Sequence, residues 1–454
     1  MLAVAVLAAL LWVFSARRLA GQQRPEVGES FAVAGLWFRI VLVLAMALPM
    51  LVLYAVSTLG LILSHDLGFP PTWLGFLVMS SFGLASLLSP WAGAFVDRFG
   101  SRVGLMLLFA VIAGAFALMV SVEHFYGLAA ASALCGIAQA LANPVTNLLI
   151  AERVAPAGRA RVVGLKQSGV QFAALFAGLV LPSFALTYGW RWALAPVIPV
   201  ALLLFATTPL ITPKTHQDAG RGFALAAPNG LLLHLMSIQF CVGVSLSSFV
   251  TFLPTFASHQ GLSPALAGSL IAVFGVMGIF SRIVLTPFGA KLNDESYLLL
   301  ALLTVAALAL AVTMQAAPDS QWHLWVGAVG VGLTAVGTNA IAMSMLIRDA
   351  RFGRVAVASG FVSVAFFGGF SLGPPLYGHL AANSSVLGWS FLIGVLLLGG
   401  VMAMRLAGAR QKANVAEEMV RFREEFVLLK NRVEELENQY AELLAQREMS
   451  PVKA

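Results

Sequence analysis

The sequence predicts an all-α membrane protein in which twelve transmembrane helices form two six-helix pseudo-repeats, followed by a C-terminal cytoplasmic coiled-coil helix. Three observations support this prediction. Of the 454 residues, 59% are hydrophobic and 10% are charged, against about 25% charged residues in an average soluble domain. Apolar runs long enough to cross a bilayer follow one another along the chain, and features of the first half return in the second half. An ordinary soluble protein is therefore excluded.

Twelve apolar segments have the length of a membrane-spanning helix, which needs about 20 residues. Spans 1 to 12, numbered in chain order, are predicted at 38–63, 73–96, 103–121, 126–150, 162–186, 192–211, 231–257, 265–288, 297–314, 323–347, 355–380 and 385–407. Proline interrupts several of them, as at Pro144 and Pro374. Membrane helices tolerate such breaks where neighbouring groups satisfy the freed backbone. These breaks favour a transporter over a rigid anchor.

The spans divide the chain into five parts. We expect an N-terminal segment at 1–36, a six-helix half at 37–211, a cytoplasmic linker at 212–230, a second six-helix half at 231–409 and a coiled coil at 410–454. Residues 1–16 are apolar but short for a span, and no small-x-small cleavage site follows them. An extra anchor, an interfacial segment and a start site placed too far upstream all remain open.

The basic residues predict which side each loop faces, because short cytoplasmic loops collect lysine and arginine. Alternate loops hold Arg98, Arg102, Arg153, Arg159, Arg161, Lys214, Arg221, Lys291, Arg348, Arg351 and Arg354. The opposite loops offer only Arg191. Both ends of the twelve-helix unit are therefore predicted to be cytoplasmic, in a plasma or inner membrane. An aromatic belt at the outer interface is predicted from Trp73, Trp190, Trp192, Trp322, Trp325 and Trp389.

The two halves of the chain share features at nearly constant spacing. Gly136 and Asn143 in span 4 correspond to Gly332 and Asn339 in span 10. In the same way, Phe82-Gly83, Ser89 and Gly189-Trp190 return as Phe274-Gly275, Ser281 and Gly388-Trp389. Several correspondences in the same order indicate two related six-helix halves. Such parallel repeats are typical of a large class of secondary transporters.

The loop after span 2 carries a recognisable motif. It reads Gly93-Ala-Phe-Val-Asp97-Arg98-Phe-Gly100-Ser-Arg102. This run resembles the loop signature of the major facilitator superfamily, Gly-x-x-x-Asp-Arg-x-Gly-x-Arg. With the twelve helices and the half-repeat, the resemblance covers about residues 36–409. It departs from the family at Val103, where a second basic residue is frequent, and the equivalent loop at 289–294 is degenerate.

The resemblance implies a gating role for this loop. Asp97 is placed to accept charge-assisted hydrogen bonds from a neighbouring helix end, and glycines allow a tight turn. The family relationship implies that the loop latches the two halves in one state and is released in the other. The gating residues are then Gly93, Asp97, Arg98, Gly100 and Arg102. The alternative is that these charges only set the topology.

In this superfamily spans 1, 4, 7 and 10 line a central cavity, so polar residues that share a helical face there are substrate-site candidates. Gln139, Asn143 and Asn147 follow one another at four-residue spacing in span 4. Three long amides are costly to bury without partners. The further candidates in these spans are Tyr54, His234 and Asn339. Serines and threonines near them are typical of hydrogen bonds between membrane helices.

Two cations fall in the interior of predicted spans rather than at their outermost residues, and a lysine or arginine at a span centre costs roughly 2.5–3.5 kcal/mol. Arg282, in span 8, lies nine residues before Lys291, or about 13 Å from the cytoplasmic end, on a face of small residues that leaves room for a ligand or a closely packed helix. Lys166 lies near the start of span 5 and could extend to the surface. Gln167 and Gln171 continue the polar face of span 5. The alternative is that both cations contact helix ends and backbone carbonyl groups instead of a ligand.

No aspartate or glutamate falls in the middle of a predicted span. Proton-coupled cation transporters and many drug exporters rely on such a carboxylate. Two buried cations without an acid favour an anionic substrate, whose oxyanion arginine holds bidentately. An arginine at this depth of span 8 also resembles organic-anion and monocarboxylate branches of the superfamily. A coupled proton would titrate at His234 or His379.

These observations predict a secondary active transporter that moves a small anionic solute, a monocarboxylate or similar oxyanion, across the lipid bilayer by alternating access. Efflux of a neutral or amphipathic compound is the alternative. Against it, Val170 follows Gly169 where family exchangers have Gly-Pro. A non-transporting sensor or scaffold is a third class. No catalytic constellation or cofactor is indicated, Cys135 and Cys241 lack metal-ligand spacing, and no basic aromatic patch indicates nucleic acid.

Residues 415–443 carry a heptad repeat of apolar residues. Its seam is Val415, Met419, Phe422, Phe426, Leu429, Val433, Leu436, Tyr440 and Leu443, with a positions at Met419, Phe426, Val433 and Tyr440. Glu425 to Lys430 and Arg432 to Glu437 are g-to-e′ pairs of opposite sign. The repeat predicts a cytoplasmic coiled coil that forms a homodimer or docks a partner helix. The alternative is one amphipathic helix that lies against its own loops.

Overall fold

The structure, a computed structural model, describes residues 30–212, 227–289, 292, 294–353 and 355–448. Within these residues, eleven helices are long and apolar enough to cross a membrane. One of them, Leu74–Ser121, contains both span 2 and span 3, so the described helices supply the twelve predicted crossings. The expectations for residues 1–29 and for most of the linker fall outside the described residues, as do Lys214, Arg221, Lys291 and Arg354.

The helices follow the predicted spans closely, because hydrocarbon requires each spanning segment to satisfy its backbone hydrogen bonds internally. In chain order they are Ser30–Asp66, Leu74–Ser121, Phe125–Arg153, Pro156–Tyr188, Trp190–Leu194, Val197–Ile211, Gly230–His259, Pro264–Gly289, Glu295–Thr313, Trp322–Arg348, Val355–Asn383 and Ser385–Glu448. Short 3-10 helices lie at Pro71–Trp73 and Ala350–Phe352. Span numbers are kept below for the helices that contain them. Span 6 is built from two consecutive helices rather than one.

The helix Leu74–Ser121 turns at Gly100, which separates span 2 from span 3. Gly100 has a φ of 81° and a ψ of 166°, a conformation that strains residues with a side chain. Gly93 lies within the helix and has open space where a side chain would stand, so only one of the two motif glycines makes the turn. The end of the molecule that carries Arg98 and Arg102 is called the basic side below, and the other end the opposite side.

The two halves repeat in space as they do in sequence. In the first half span 4 crosses span 2 at Gly136, where an added Cβ would stand 2.2 Å from the backbone oxygen of Ser81. In the second half span 10 crosses span 8 at Gly332, where an added Cβ would stand 2.7 Å from the backbone oxygen of Phe274. Small residues allow such close approach of membrane helices. Equivalent crossings at equivalent glycines confirm the pseudo-repeat.

The two halves meet along three pairs of helices. Span 1 packs on span 7, span 2 on span 11 and span 5 on span 8, whereas the described parts of spans 4 and 10 make no extensive contact. Ser57 donates a hydrogen bond to the backbone oxygen of Val250, and Ser371 donates to that of Met79 at 3.4 Å. All four residues lie toward the opposite side. The halves are therefore joined at that end.

Two of the tryptophans predicted for the interfacial belt are buried instead. Trp190 and Trp389, equivalent residues of the two halves, are among the largest fully buried side chains. Trp190 donates its Nε1 hydrogen to Asp66 at 2.8 Å, and Trp389 packs edge-on against Phe249. The prediction is wrong for these two residues, because each half uses this tryptophan to pack its own helices. Exposed positions are occupied by Trp73, Trp192 and Trp322.

The last helix, Ser385–Glu448, continues from span 12 into the tail without interruption. The seam side chains from Val415 to Tyr440 are each between 50% and 68% exposed. The alternative of an amphipathic helix packed on its own loops is therefore wrong. Leu443 belongs to the helix, and its side chain falls outside the described residues.

Candidate functional site

A cavity of about 60 Å³ lies between the two halves. Its wall includes seven of the ten predicted substrate-site residues, namely Tyr54, Gln139, Asn143, Gln167, Gln171, Arg282 and Asn339. They come from spans 1, 4, 5, 8 and 10, so only the packing of both halves brings them together. Since one water needs roughly 10–15 Å³ of such volume, this conformation has room for a few waters or a small solute.

Arg282 carries the positive charge of the cavity wall. Its Nη1 donates to the backbone oxygen of Gln167 at 2.7 Å and to Oε1 of the same residue at 3.1 Å. Its Nε is buried without a hydrogen-bond partner. The described residues that line the cavity include no aspartate or glutamate. The guanidinium therefore meets only neutral oxygens, and its charge is not balanced within the cavity.

The small residues beside Arg282 allow close helix packing. A Cβ on Gly275 would stand 2.9 Å from the backbone oxygen of Gln171, and one on Gly278 would stand 2.8 Å from Gln171 Oε1. Of the two uses that the sequence leaves open for this face, the structure shows the packed helix, which is span 5. Gln171 Oε1 is itself buried without a partner, so this wall retains a hydrogen-bond acceptor toward the cavity.

Lys166 is fully buried in span 5 and binds span 4. Its Nζ lies 2.5 Å from Asn147 Oδ1, 2.8 Å from Thr146 Oγ1 and 3.4 Å from Asn143 Oδ1. Three acceptors match the three hydrogens of an ammonium group. The expectation that Lys166 extends to the surface is wrong, because oxygens of span 4 satisfy it in the interior. Lys166 and Asn147 do not line the cavity and connect to it through Asn143.

Hydrogen bonds link Lys166 and Arg282 across the halves. Asn143 Oδ1 also accepts from Gln167 Nε2 at 3.1 Å, while Gln167 Oε1 accepts from Arg282. The Gln167 amide is thereby oriented with its nitrogen toward the asparagine and its oxygen toward the arginine. Because spans 4 and 5 belong to the first half and span 8 to the second, Gln167 joins the polar groups of one half to the arginine of the other.

Asn339 holds the equivalent place to Asn143 in the second half. Its Nδ2 donates to Gln239 Oε1 at 3.1 Å, and Gln239 Nε2 donates to the backbone oxygen of Thr338 at 3.4 Å. Gln239 is fully buried and is absent from the sequence-based candidates. A signal was present, because a long amide in an apolar span has the same burial cost that singles out span 4.

The structure does not bring His234 to the cavity. Its Nδ1 lies 2.6 Å from the backbone oxygen of Gly230, at the start of span 7. His379 is exposed near the other end of span 11. Among the described residues that line the cavity there is no histidine or carboxylate. Neither histidine is therefore placed to exchange a proton with a solute in the cavity.

Apart from Ser363, the rest of the cavity wall is apolar and was not predicted from the sequence. It includes Met46, Met50, Met343, Phe366, Phe367 and Phe370. A methionine or phenylalanine in a span has the same hydropathy whether it faces lipid, protein or a cavity, so sequence offers no signal for this role. Flexible, polarisable methionine side chains adapt to the shape of a bound group. The cavity thus combines one cationic end with an apolar body.

The motif loop is held by Arg102. Its Nε donates to Thr212 Oγ1 at 3.1 Å, and its Nη2 donates to the backbone oxygens of Pro209 and Thr212, both at 2.8 Å. A cation at the carboxyl end of a helix is favourable, so Arg102 stabilises the end of span 6. Asp97 is exposed and has no ion pair with another described residue. Arg98 lies over the ring of Phe99, 5.4 Å from its centroid.

The sequence is similar to known transporters. A profile of the Major Facilitator Superfamily matches residues 40–374. The "MFS-type transporter opdF" of Penicillium oxalicum is 22% identical over 361 residues, which cover 75% of this chain and 83% of that protein. The "Probable anion transporter 4, chloroplastic" of Arabidopsis thaliana is 31% identical over 160 residues, which cover 33% of this chain and 29% of that protein.

The fold is also similar to a solved structure. A bacterial homologue of the human lysosomal transporter Spinster, crystallised in an inward-facing and occupied conformation, has a TM-score of 0.65 to this chain. The two chains are 15% identical, and the likeness covers 82% of this chain and 97% of the other. At this identity the likeness shows the fold alone.

Proposed function

Because the chain is a multi-pass membrane protein of the Major Facilitator Superfamily of transporters, we propose that it moves a small organic anion, a monocarboxylate or similar oxyanion, by alternating access. The single observation that carries this proposal is the setting of Arg282, a partly buried arginine in a cavity whose described lining contains no acid. A buried charge without a counter-charge is unfavourable. An anion that enters the cavity supplies the missing charge.

The contacts of Arg282 suggest how the anion binds. A carboxylate displaces Gln167 Oε1 from the guanidinium and accepts hydrogen bonds from Nε and a terminal nitrogen, the bidentate geometry that arginine favours. The phenylalanines of span 11 and the methionines of spans 1 and 10 receive the apolar body of the solute. This wall favours an organic anion over an inorganic one such as nitrate.

Binding at Arg282 is also linked to the arrangement of the halves. Gln167 belongs to the first half and Arg282 to the second, so an anion that takes the place of Gln167 exchanges a contact between the halves for a contact with the solute. Rocking of two halves around a central site is the expected mechanism for this repeat architecture. Gln167 is therefore the residue through which occupancy affects the interface.

The conformation described here is joined at the opposite side, while the described parts of spans 4 and 10 make no extensive contact. With the basic side in the cytoplasm, as the loop charges favour, this is an inward-facing state. We propose that Asp97, exposed in this state, finds its partner on a neighbouring helix end when the basic side closes. In the conformation described here, Arg102 caps the end of span 6.

The name of the Arabidopsis relative, an anion transporter, supports this substrate class. The apolar wall alone would also suit a neutral or amphipathic compound. Drug-sized ligands occupy pockets of roughly 300–1,000 Å³, much larger than the cavity of about 60 Å³ seen here. The small cavity and the unbalanced arginine together favour the small anion.

The decisive experiment is uptake of radiolabelled acetate and lactate into proteoliposomes by Arg282→Ala and Arg282→Lys. Removing one partner of a buried charge pair costs about 2–5 kcal/mol, so Arg282→Ala should lower uptake at least about 30-fold. Arg282→Lys keeps the charge without the bidentate geometry and should lose less. Arg405→Ala, an exposed position on span 12, is the matched control and should transport normally.

A thermal-shift series comes first, because the solute is unidentified. Acetate, lactate, pyruvate and nitrate are compared with the hydrophobic cation tetraphenylphosphonium on the same purified protein, and imposed pH and sodium gradients then identify the coupling ion. Stabilisation by carboxylates that Arg282→Ala abolishes supports the proposal. Full anion uptake by a folded Arg282→Ala variant, or stabilisation by the cation alone, contradicts it.

A further inference from the structure

An ionic cluster fixes the base of the tail to the second half. Arg410 is buried, and its Nη1 lies 2.6 Å from Asp294 Oδ1 and 3.1 Å from Glu295 Oε2. Its Nη2 lies 3.2 Å from Asp349 Oδ2. Arg348 pairs with Glu295 at 2.7 Å. Since the helix is continuous through this cluster, the tail is a rigid extension of the second half.

The heptad register shows which face of the tail is anchored. With Met419 at a, Arg410 and Glu417 fall at f and Asn414 at c, positions that point away from the a/d seam. Asn414 accepts a hydrogen bond from Arg351 at 2.6 Å, and Glu417 lies 3.9 Å from the same arginine. The contacts with the protomer's own body therefore use the outer positions. The seam is directed away from that body.

The a/d seam of the tail extends back along an exposed face of span 12. Extending the heptad back into the span gives two d positions and one a position that are between 40% and 53% exposed. These residues are Leu387, Leu398 and Val401. Arg405 and Lys412 also fall at a, so close packing of the seam starts at Val415. One side of the last helix is thus exposed from span 12 to the tail.

We propose that a second copy of this chain occupies the seam, in a parallel, in-register two-stranded coiled coil through residues 415–443. Charge complementarity supports this occupant. In a parallel pair each g residue meets the e residue five positions later on the partner. The three charged pairs formed this way have opposite signs, namely Glu418 with Arg423, Glu425 with Lys430 and Arg432 with Glu437.

The membrane fixes the direction of the pairing. Two copies inserted with the same topology send their last helices out of the same face, and the unbroken helix prevents the tail from folding back. Parallel pairing is therefore the arrangement that two neighbouring protomers can form. Because the described residues that anchor the tail belong to the second half, the coil joins the second halves and leaves the first halves free to move.

Disulfide cross-linking of the full-length protein tests whether the two helices of the coiled coil are parallel and in register. Met419→Cys and Tyr440→Cys place a thiol at an a position near each end of the seam, and Glu424→Cys places one at f as the matched control. The native Cys135 and Cys241 are buried. Mild oxidation should yield linked dimers for each a variant and not for the control. An antiparallel pair would separate like positions by about 32 Å, so failure of both a variants overturns the proposal.

The mass of the protein in nanodiscs tests whether its partner is a second copy of the chain. The full chain should form a dimer of two 47.9 kDa protomers, and the double variant with Phe426→Glu and Val433→Glu should be monomeric with an unchanged melting temperature, because both sites are exposed. Glu425→Lys should shift the equilibrium toward monomer, and adding Lys430→Glu should restore the dimer. A monomeric full chain, or an undiminished dimer of the double variant, overturns the proposal.

Discussion

Arg282 in the cavity is partly buried and Arg410 at the base of the tail is buried, and their surroundings are opposite. Arg410 meets three carboxylates within 3.2 Å. Arg282 meets the two neutral oxygens of Gln167. The Nε of each lacks a hydrogen-bond partner, and the two arginines differ in the charge of the oxygens that they meet.

This contrast separates two uses of the same side chain. Carboxylates that surround an arginine neutralise it permanently, and removing one partner of such a buried cluster is strongly destabilising. An arginine that the protein leaves without a counter-charge remains a site for a negatively charged ligand. The first arrangement suits an anchor between the tail and the second half, and the second suits a cavity that must bind and release.

Replacing the neutralised arginine should have the largest effect on stability. Arg410→Ala leaves Asp294, Glu295 and Asp349 facing one another, and we expect a loss of about 3–5 kcal/mol in the free energy of unfolding. Thermal unfolding of the purified protein measures it. Arg405→Ala, on the exposed side of the same helix, should change stability by less than about 0.5 kcal/mol. Equal melting temperatures for the two variants would contradict a stabilising role for Arg410.

A single substitution should give the cavity arginine a carboxylate partner, as Arg410 has. Gln167→Glu places a carboxylate on Arg282 and neutralises it, so uptake of a monocarboxylate should fall at least about 10-fold, which corresponds to 1.4 kcal/mol. The melting temperature should not fall, because an ion pair replaces a neutral contact. Gln167→Ala keeps the charge of Arg282 and should lose less uptake. Wild-type uptake by Gln167→Glu would show that the charge of Arg282 is not used.

The smallest expected effect is the pH dependence of the anchor. Burial by itself raises the pKa of Asp349, but hydrogen bonds from Arg351 and the charges of Arg351 and Arg410 outweigh it, so the pKa lies below the ordinary 3.8. A lowered pKa in the folded state gives stability that is present above the unfolded value and lost as pH falls through the folded value.

The measurement is the melting-temperature difference between wild type and Asp349→Asn as a function of pH. This difference should stay constant from about pH 8 to about pH 5 and shrink only below about pH 4, where carboxylates titrate. A difference that disappears near neutral pH would mean that the anchor is not an ionised cluster.

Much of the fold could be predicted because a bilayer imposes length and hydropathy on each helix. Span 7 is predicted at 231–257 and observed as Gly230–His259. Helical periodicity also identified the polar face of span 4, and two of its three amides, Gln139 and Asn143, line the cavity. The phenylalanines of span 11 were missed, because hydropathy does not distinguish a side chain that faces a cavity from one that faces lipid or another helix. Gln239 was missed although a long amide in an apolar span is a signal.

From the sequence alone follow the number and length of the spans, the relation of the two halves, the heptad seam and the presence of two cations inside spans whose middles contain no acid. Tertiary structure decided which cation reaches the cavity: Arg282 lines it, whereas Lys166 is enclosed by oxygens of span 4. It also decided that Trp190 is buried and that the seam points away from its own protomer. The reason is physical. The bilayer acts on each helix separately, but the partner of a polar group is set by atoms from helices distant in the chain.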